Sequence, residues 1–205
     1  MRGGRYPGMP FNQQLSFPVE LTLRSIPQGI QLFREPVREI ERLHATTTNW
    51  PAGELVQMAN EQFKHRTQSG KITSYALTNL RDATNQFVLA EHGDLFDIYA
   101  EIEVDEGKSF VVEVQGHRVE YDGTRQTLTC FNTSVALRKI NKCIRLQLLV
   151  DRTSLEIFGN RGEVSMSFCF LPAAADYPLV LRAEKEGVRI VSLTVHELHS
   201  AWEKV

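Results

Sequence analysis

Ile144–Pro172 reads IRLQLLVDRTSLEIFGNRGEVSMSFCFLP. Ile144, Leu146, Leu148 and Val150 alternate with Arg145 and Gln147, the period of two that places apolar side chains on one side of a strand. Asp151-Arg152-Thr153-Ser154 supplies a polar turn, and Leu155-Glu156-Ile157-Phe158 resumes the strand. Gly159-Asn160-Arg161-Gly162 turns again, with glycine and asparagine able to take positive φ. Val164, Met166, Phe168 and Phe170 then share one face opposite Glu163, Ser165 and Ser167. The stretch predicts an antiparallel meander with one apolar face, which a second layer has to cover.

The rest of the chain repeats the pattern. Val19, Leu21 and Leu23 alternate with Glu20, Thr22 and Arg24, and Pro27-Gln28-Gly29 turns into a return strand from Ile30 to Arg34, predicting a hairpin. Pro36 suits the first position of a short helix, PVREIERL. The threonine-rich strip from His44 to Gly53 reads as an exposed connection. Beyond it, Ile98–Val104 alternates cleanly, Phe110, Val112 and Val114 share a face, and Pro178–Glu184 and Val188–Leu198 close the chain. Strands spaced by roughly 8–12 residues with turn signals between them predict an all-β, antiparallel two-sheet β-sandwich of concanavalin-like or jelly-roll-like form. No helix longer than about two turns is expected after the connection.

With 205 residues the chain can bury a sizeable core, and 42% hydrophobic with 23% charged residues is ordinary for a globular protein. A formal net charge of −2 argues against nucleic acid or an anionic membrane as partner. No apolar run approaches the roughly 18 residues of a membrane-spanning helix, and MRGGRYPGMP lacks the apolar core of a signal peptide. Cys130, Cys143 and Cys169 show no paired spacing and read as small buried hydrophobes, so the cysteines assign no compartment. No metal or cofactor is expected.

Asp151–Asn160, DRTSLEIFGN, followed by Gly162-Glu163, resembles the DRTS-x-EIFGN-x-GE signature of glycoside hydrolase family 32, the β-fructosidases (invertases, inulinases and levanases). Pro7–Gln14, Ser16-Phe17-Pro18 and Glu20–Arg24 resemble the segment where that family leaves its catalytic domain. Pro36–Glu41 resembles its connector, and Val195–Leu198 with Trp202 its final strand. The resemblance implies a five-bladed catalytic propeller followed by a C-terminal β-sandwich. It also implies a division of this chain: 1–35 as the remnant of the last blade, 36–53 as linker helix and loop, 54–205 as the sandwich. The family's catalytic carboxylates lie in NDPNG-type, RDP and EC motifs, and none of these occurs here. A retaining glycosidase needs two carboxyl groups about 5–5.5 Å apart, so no catalytic residue is expected in this chain. The parent enzymes are often secreted and act on fructans or sucrose.

Asp151, Arg152, Ser154, Glu156, Phe158, Gly159 and Asn160 are therefore read as structural. Asp151 is expected to cap its turn, and Glu156 to pair with a neighbouring arginine. His196 and His199 sit three apart on a strand and so face opposite ways, which does not suit a metal pair. Ser154 and Ser165 have no histidine close in sequence to activate them. Arg138, Lys139 and Lys142 read as a solvated edge. Gln13, Gln14 and Trp50 are the candidates for carbohydrate contact, with Tyr75, Tyr99, Tyr121 and Trp202 as further rings that could meet a sugar. Asn132-Thr133-Ser134 fits a glycosylation sequon, meaningful only in a secreted eukaryotic protein. Three roles are consistent with these readings: a non-catalytic module that packs on a propeller in the same or a separate chain, a stand-alone carbohydrate-binding sandwich, or half of a split enzyme. Self-association through an exposed sandwich face is expected.

Overall fold

The computed structural model describes residues 15–68, 86–171 and 177–201. Two antiparallel sheets face each other across a continuous apolar core, and a separate hairpin lies outside them. That hairpin pairs β1 (Val19–Ile26) with β2 (Gly29–Pro36) around a Pro27-Gln28 turn. A 3-10 turn over Arg38–Leu43 follows, shorter and tighter than the expected helix.

The larger sheet contains the meander. Its order runs β13 (Val164–Cys169), β12 (Ser154–Gly159), β11 (Cys143–Asp151), β6 (Phe96–Val104), β15 (Val188–Leu198), β3 (His44–Trp50), with the short β4 (Gly53–Glu54) also on β15. The facing sheet runs β10 (Thr133–Ala136), β9 (Thr127–Cys130), β8 (His117–Asp122), β7 (Ser109–Val114), β14 (Leu179–Ala183), β5 (Gln86–Ala90). The alternating residues fall where the period of two places them. Ile144, Leu146, Leu148 and Val150 pair with Ile102, Ala100, Ile98 and Phe96 in that order on the inner face, in one core with Phe110, Val112, Val119 and Tyr121 of the other sheet. The expected sandwich is the observed one.

Two elements differ from the sequence reading. His44–Trp50 is a strand, not an exposed connection: it forms the edge of the larger sheet, antiparallel to β15. Its threonines suit the pleated surface, and Thr46 and Thr47 hydrogen-bond to Glu197 and His196 across the pair. The second difference is α1, Leu55–Gln68, a 14-residue helix where only strands were expected. Leu, Met, Ala, Gln, Glu and Lys are good helix formers, and Leu55 and Ala59 are fully buried one turn apart.

α1 also covers an edge. β5 ends its sheet, and Gln62 on the helix meets it as a strand would. The Gln62 side chain donates to the Val88 carbonyl (2.9 Å) and accepts the Val88 amide (2.7 Å). An exposed edge invites pairing with another chain, and the carboxamide occupies both backbone groups. Replacing Gln62 by Ala should cost about 1–2 kcal/mol, two neutral hydrogen bonds. The expected result is a lower Tm with more self-association in sedimentation than the native chain shows; a Tm and an association state equal to the native chain's would show that the contact does neither.

Candidate functional site: the signature turn as a docking surface

The DRTSLEIFGN strand is buried on both sides. Ser154 to Gly159 are all buried, whereas strict alternation predicts one wet face. The inner residues Leu155 and Ile157 join the main core. The outer residue Phe158 joins Leu149 and Ile40 in a second, smaller core, with Phe17, Val19 and Val37 packed on it. The segment leading into the sandwich thus lies across the outside of the signature strand.

Glu156 anchors that segment. It is only 3% exposed, and its Oε1 accepts the backbone amide of Phe17 at 2.6 Å, while the Ser167 hydroxyl donates to Oε2 at 3.4 Å. Its main partner is therefore the entering backbone rather than the arginine expected from sequence, although the charge of Arg34 also acts on it. Burial pushes the Glu156 carboxyl above its ordinary value, opposed by the Phe17 amide, the Ser167 hydroxyl and Arg34.

The following turn receives the hairpin. Asn160, Arg161 and Gly162 all take positive φ (49°, 58° and 80°). The Arg34 amide donates to the Gly162 carbonyl at 3.0 Å, and a Cβ on residue 162 would stand 2.2 Å from the Arg34 carbonyl oxygen. Only glycine allows that approach. Asn160 braces the turn: its side chain donates to the Arg138 carbonyl (2.8 Å) and to Glu163 (3.0 Å) and accepts the Arg145 amide (3.3 Å). A Cβ on Gly159 would press on Leu137 at 2.8 Å. At the other end, Asp151 accepts the Arg152 amide at 2.7 Å, and the Arg152 guanidinium reaches Asp94, also at 2.7 Å.

One polar cluster escaped the sequence reading. Asp97 is fully buried on the outer side of the larger sheet. Its carboxylate lies 3.0 Å from His44 Nε2 and accepts from Gln147 Nε2 at 2.9 Å. Gln147 also donates to the Tyr99 hydroxyl at 2.8 Å. His196 stacks flat on His44, centroids 3.7 Å apart, and meets Thr47 at 2.8 Å. Burial and then Asp97 hold the Tyr99 phenol protonated, while burial and then His44 lower the His196 imidazole, against Asp97 and Glu41. The residues come from four strands, so no linear spacing signals them. Among the described residues no three His, Cys, Asp or Glu gather as metal ligands, and the cluster ties β3 to the sheet.

The ring candidates are distributed differently. Trp50 sets its ring edge-on to Phe87 at 5.0 Å and packs on the core. Tyr121 is fully buried and donates to the Leu137 carbonyl at 3.1 Å. Tyr99 is 37% exposed beside the Asp97 cluster. Gln13, Gln14, Tyr75 and Trp202 lie outside the described residues.

The outward side of the hairpin is apolar and exposed. Leu23 pairs directly with Leu32, with Leu21 and Ile30 on the same face, and these four are 73%, 48%, 59% and 76% exposed in that order. The opposite side carries Phe33, buried under the Arg24 guanidinium at 4.4 Å, and Gln31, which donates to the Glu163 carbonyl at 3.1 Å. One side grips the sandwich; the other is bare.

Residues 56–197 match the family description "Glycosyl hydrolases family 32 C terminal". The chain is 28% identical, over 96% of its length, to a levanase of Bacillus subtilis (strain 168), and 24% identical over 97% to a levanase of Bacillus sp. (strain L7). It spans only 29% and 21% of those two proteins. Its fold is similar to that of an exo-inulinase from Aspergillus awamori, with TM-score 0.70 at 13% identity, covering 98% of this chain and 39% of that one. A fructofuranosidase from Schwanniomyces occidentalis complexed with fructose gives TM-score 0.61 at 14% identity, covering 90% of this chain and 40% of that one.

The anchor yields a signed pH expectation. Because the folded Glu156 has the higher pKa, the folded state favours its protonated form. The stability tied to this group is complete below the unfolded value and declines as pH rises from there through the folded value. Glu156→Gln keeps an acceptor for Phe17 without the buried charge, so its Tm relative to the native chain should climb between pH 4 and pH 7. Glu156→Ala leaves the amide unpaired and should cost roughly 1–3 kcal/mol. A pH-independent difference for the glutamine variant would refute the buried-charge account.

Proposed function

The chain belongs to glycosyl hydrolase family 32 through its C-terminal domain, and from that premise we propose that it is the non-catalytic sandwich module of a fructan- or sucrose-hydrolysing enzyme. Its role is to hold the catalytic propeller, on the same polypeptide or a separate one, through the hairpin. The observation that carries this is the bare face of Leu21, Leu23, Ile30 and Leu32 on an element fastened to the sandwich by its other side. A contiguous exposed apolar face of this kind is what an interface leaves when its partner is removed. The motif carboxylates support a non-catalytic role, because Glu156 is committed to Phe17 and Asp151 to its own turn. A paired acid and nucleophile must both stay open to substrate. The levanase relatives support a fructan as the parent substrate.

Two measurements test the proposal. The 205-residue chain should release no reducing sugar from sucrose, inulin or levan, and turnover by this chain alone would overturn the reading. Added to the catalytic portion of a levanase, it should bind and raise that protein's Tm. The pair Leu23→Lys and Leu32→Lys should weaken binding at least tenfold, since a buried lysine on each strand loses its hydration. Binding that survives both lysines would place the interface elsewhere. The same face makes copies of the isolated chain associate, so sedimentation at tens of micromolar should show oligomers that the lysine variant dissolves.

A further inference from the structure

The mouth of the sandwich between β13 and the β9–β10 turn holds four rings that neither the hairpin nor the signature strand uses. His117 opens β8, Phe131 sits in the two-residue turn joining β9 to β10, Phe168 lies on β13 and Phe170 directly follows it. Phe131 has its centroid 4.6 Å from His117 and 5.0 Å from Phe168, with interplanar angles of 36° and 32°. It lies 6.3 Å from Phe170 at 25°. The ring packs tilted against its two nearer neighbours, and Phe131 is still 43% exposed, so part of the ring meets solvent.

The backbone under that ring is strained. Phe131 is the first turn residue after Cys130, which pairs with Thr133, and its φ is +50°. Glycine or asparagine takes this place at little cost, whereas a bulky aromatic there is an outlier. Asn132 follows immediately, so the reverse order would relax the turn. Closing the sandwich mouth needs only an apolar side chain from a relaxed backbone. Strain held at an exposed side chain instead points to a task for that side chain.

The surroundings indicate what meets the ring. Asn132, Thr133 and Ser134 are exposed and uncharged, and the Ser134 and Thr129 hydroxyls stand 2.8 Å apart on the adjacent strands. Burial lowers the His117 imidazole, keeping it neutral near pH 7. A flat π-face with a neutral rim of amide and hydroxyl groups suits a ligand whose C–H faces carry partial positive charge and whose edges carry hydroxyls. Asn132, Thr133 and Ser134 carry no charge with which to pair an ion.

We propose that Phe131, backed by His117 and Phe168, is a stacking platform for a neutral polysaccharide of the fructan class, separate from the hairpin surface. The choice of fructan rests on the parent substrate proposed above, whereas the platform itself does not depend on whether the hairpin binds a propeller. Levan and inulin are the probes, in affinity electrophoresis of the 205-residue chain. The native chain should be retarded by at least one of them. Phe131→Asn should weaken retardation at least tenfold while holding or raising the Tm, because asparagine suits the left-handed turn. Phe131→Tyr should keep retardation and Phe131→Leu should lose it, which decides the matter if the asparagine variant misfolds. No retardation of the native chain, or equal retardation of the leucine and tyrosine variants, overturns the proposal. So does an oligomer that Phe131→Asn dissolves without any response to either polymer, which would make the patch a contact between copies.

Discussion

The hydrogen bond from the Phe17 amide to the buried Glu156 carboxylate is the constraint on which the outer architecture depends. Burying a carboxylate is unfavourable unless its lone pairs are satisfied, so the entering chain must lie where its amide meets Oε1. That path lays Phe17, Val19 and Val37 on Phe158 and Leu149 and creates the second core. It also brings Arg34 within reach of the Gly162 carbonyl, where only glycine lets the backbones touch. The residues resembling an enzyme signature thus form a clamp, its two jaws far apart in sequence.

A second buried carboxylate fastens the opposite flank. Asp97 satisfies its oxygens with His44 and Gln147, and the stacked His44 and His196 hold the start of β3 against β15. Breaking a buried pair leaves an uncompensated charge, which is more costly than never forming it. The two carboxylates fix where the linking segment enters and where it becomes an edge strand. The hairpin lies between these two anchors in sequence, with one side held on the sandwich and its apolar side exposed.

The sheets manage their edges in different ways. β5 is covered by α1 through Gln62, while β3 is a threonine-rich edge tied down by side-chain bonds across the pair. The mouth between β13 and the β9–β10 turn is lined by rings, and Phe131 sits there at positive φ. That last solution is the only one of the three that leaves a large side chain facing solvent, and it separates the mouth from the two structural edges.

Periodicity alone determined the sandwich, the meander and the inner face, because alternation of Ile144, Leu146, Leu148 and Val150 is a local property of the chain. The resemblance of DRTSLEIFGN to a family signature identified the family, because that run too is a local property of the chain. Only the tertiary structure decided that β12 is buried on both faces, that His44–Trp50 is a strand and that Asp97, His44, Gln147 and His196 meet. Each of these needs a partner 50 or more residues away, and no local pattern encodes such a partner. α1 was missed for a different reason: its buried face is narrow, Leu55 and Ala59 with the polar Gln62, so the helical stripe was too weak to stand out beside strands that announce themselves every second residue.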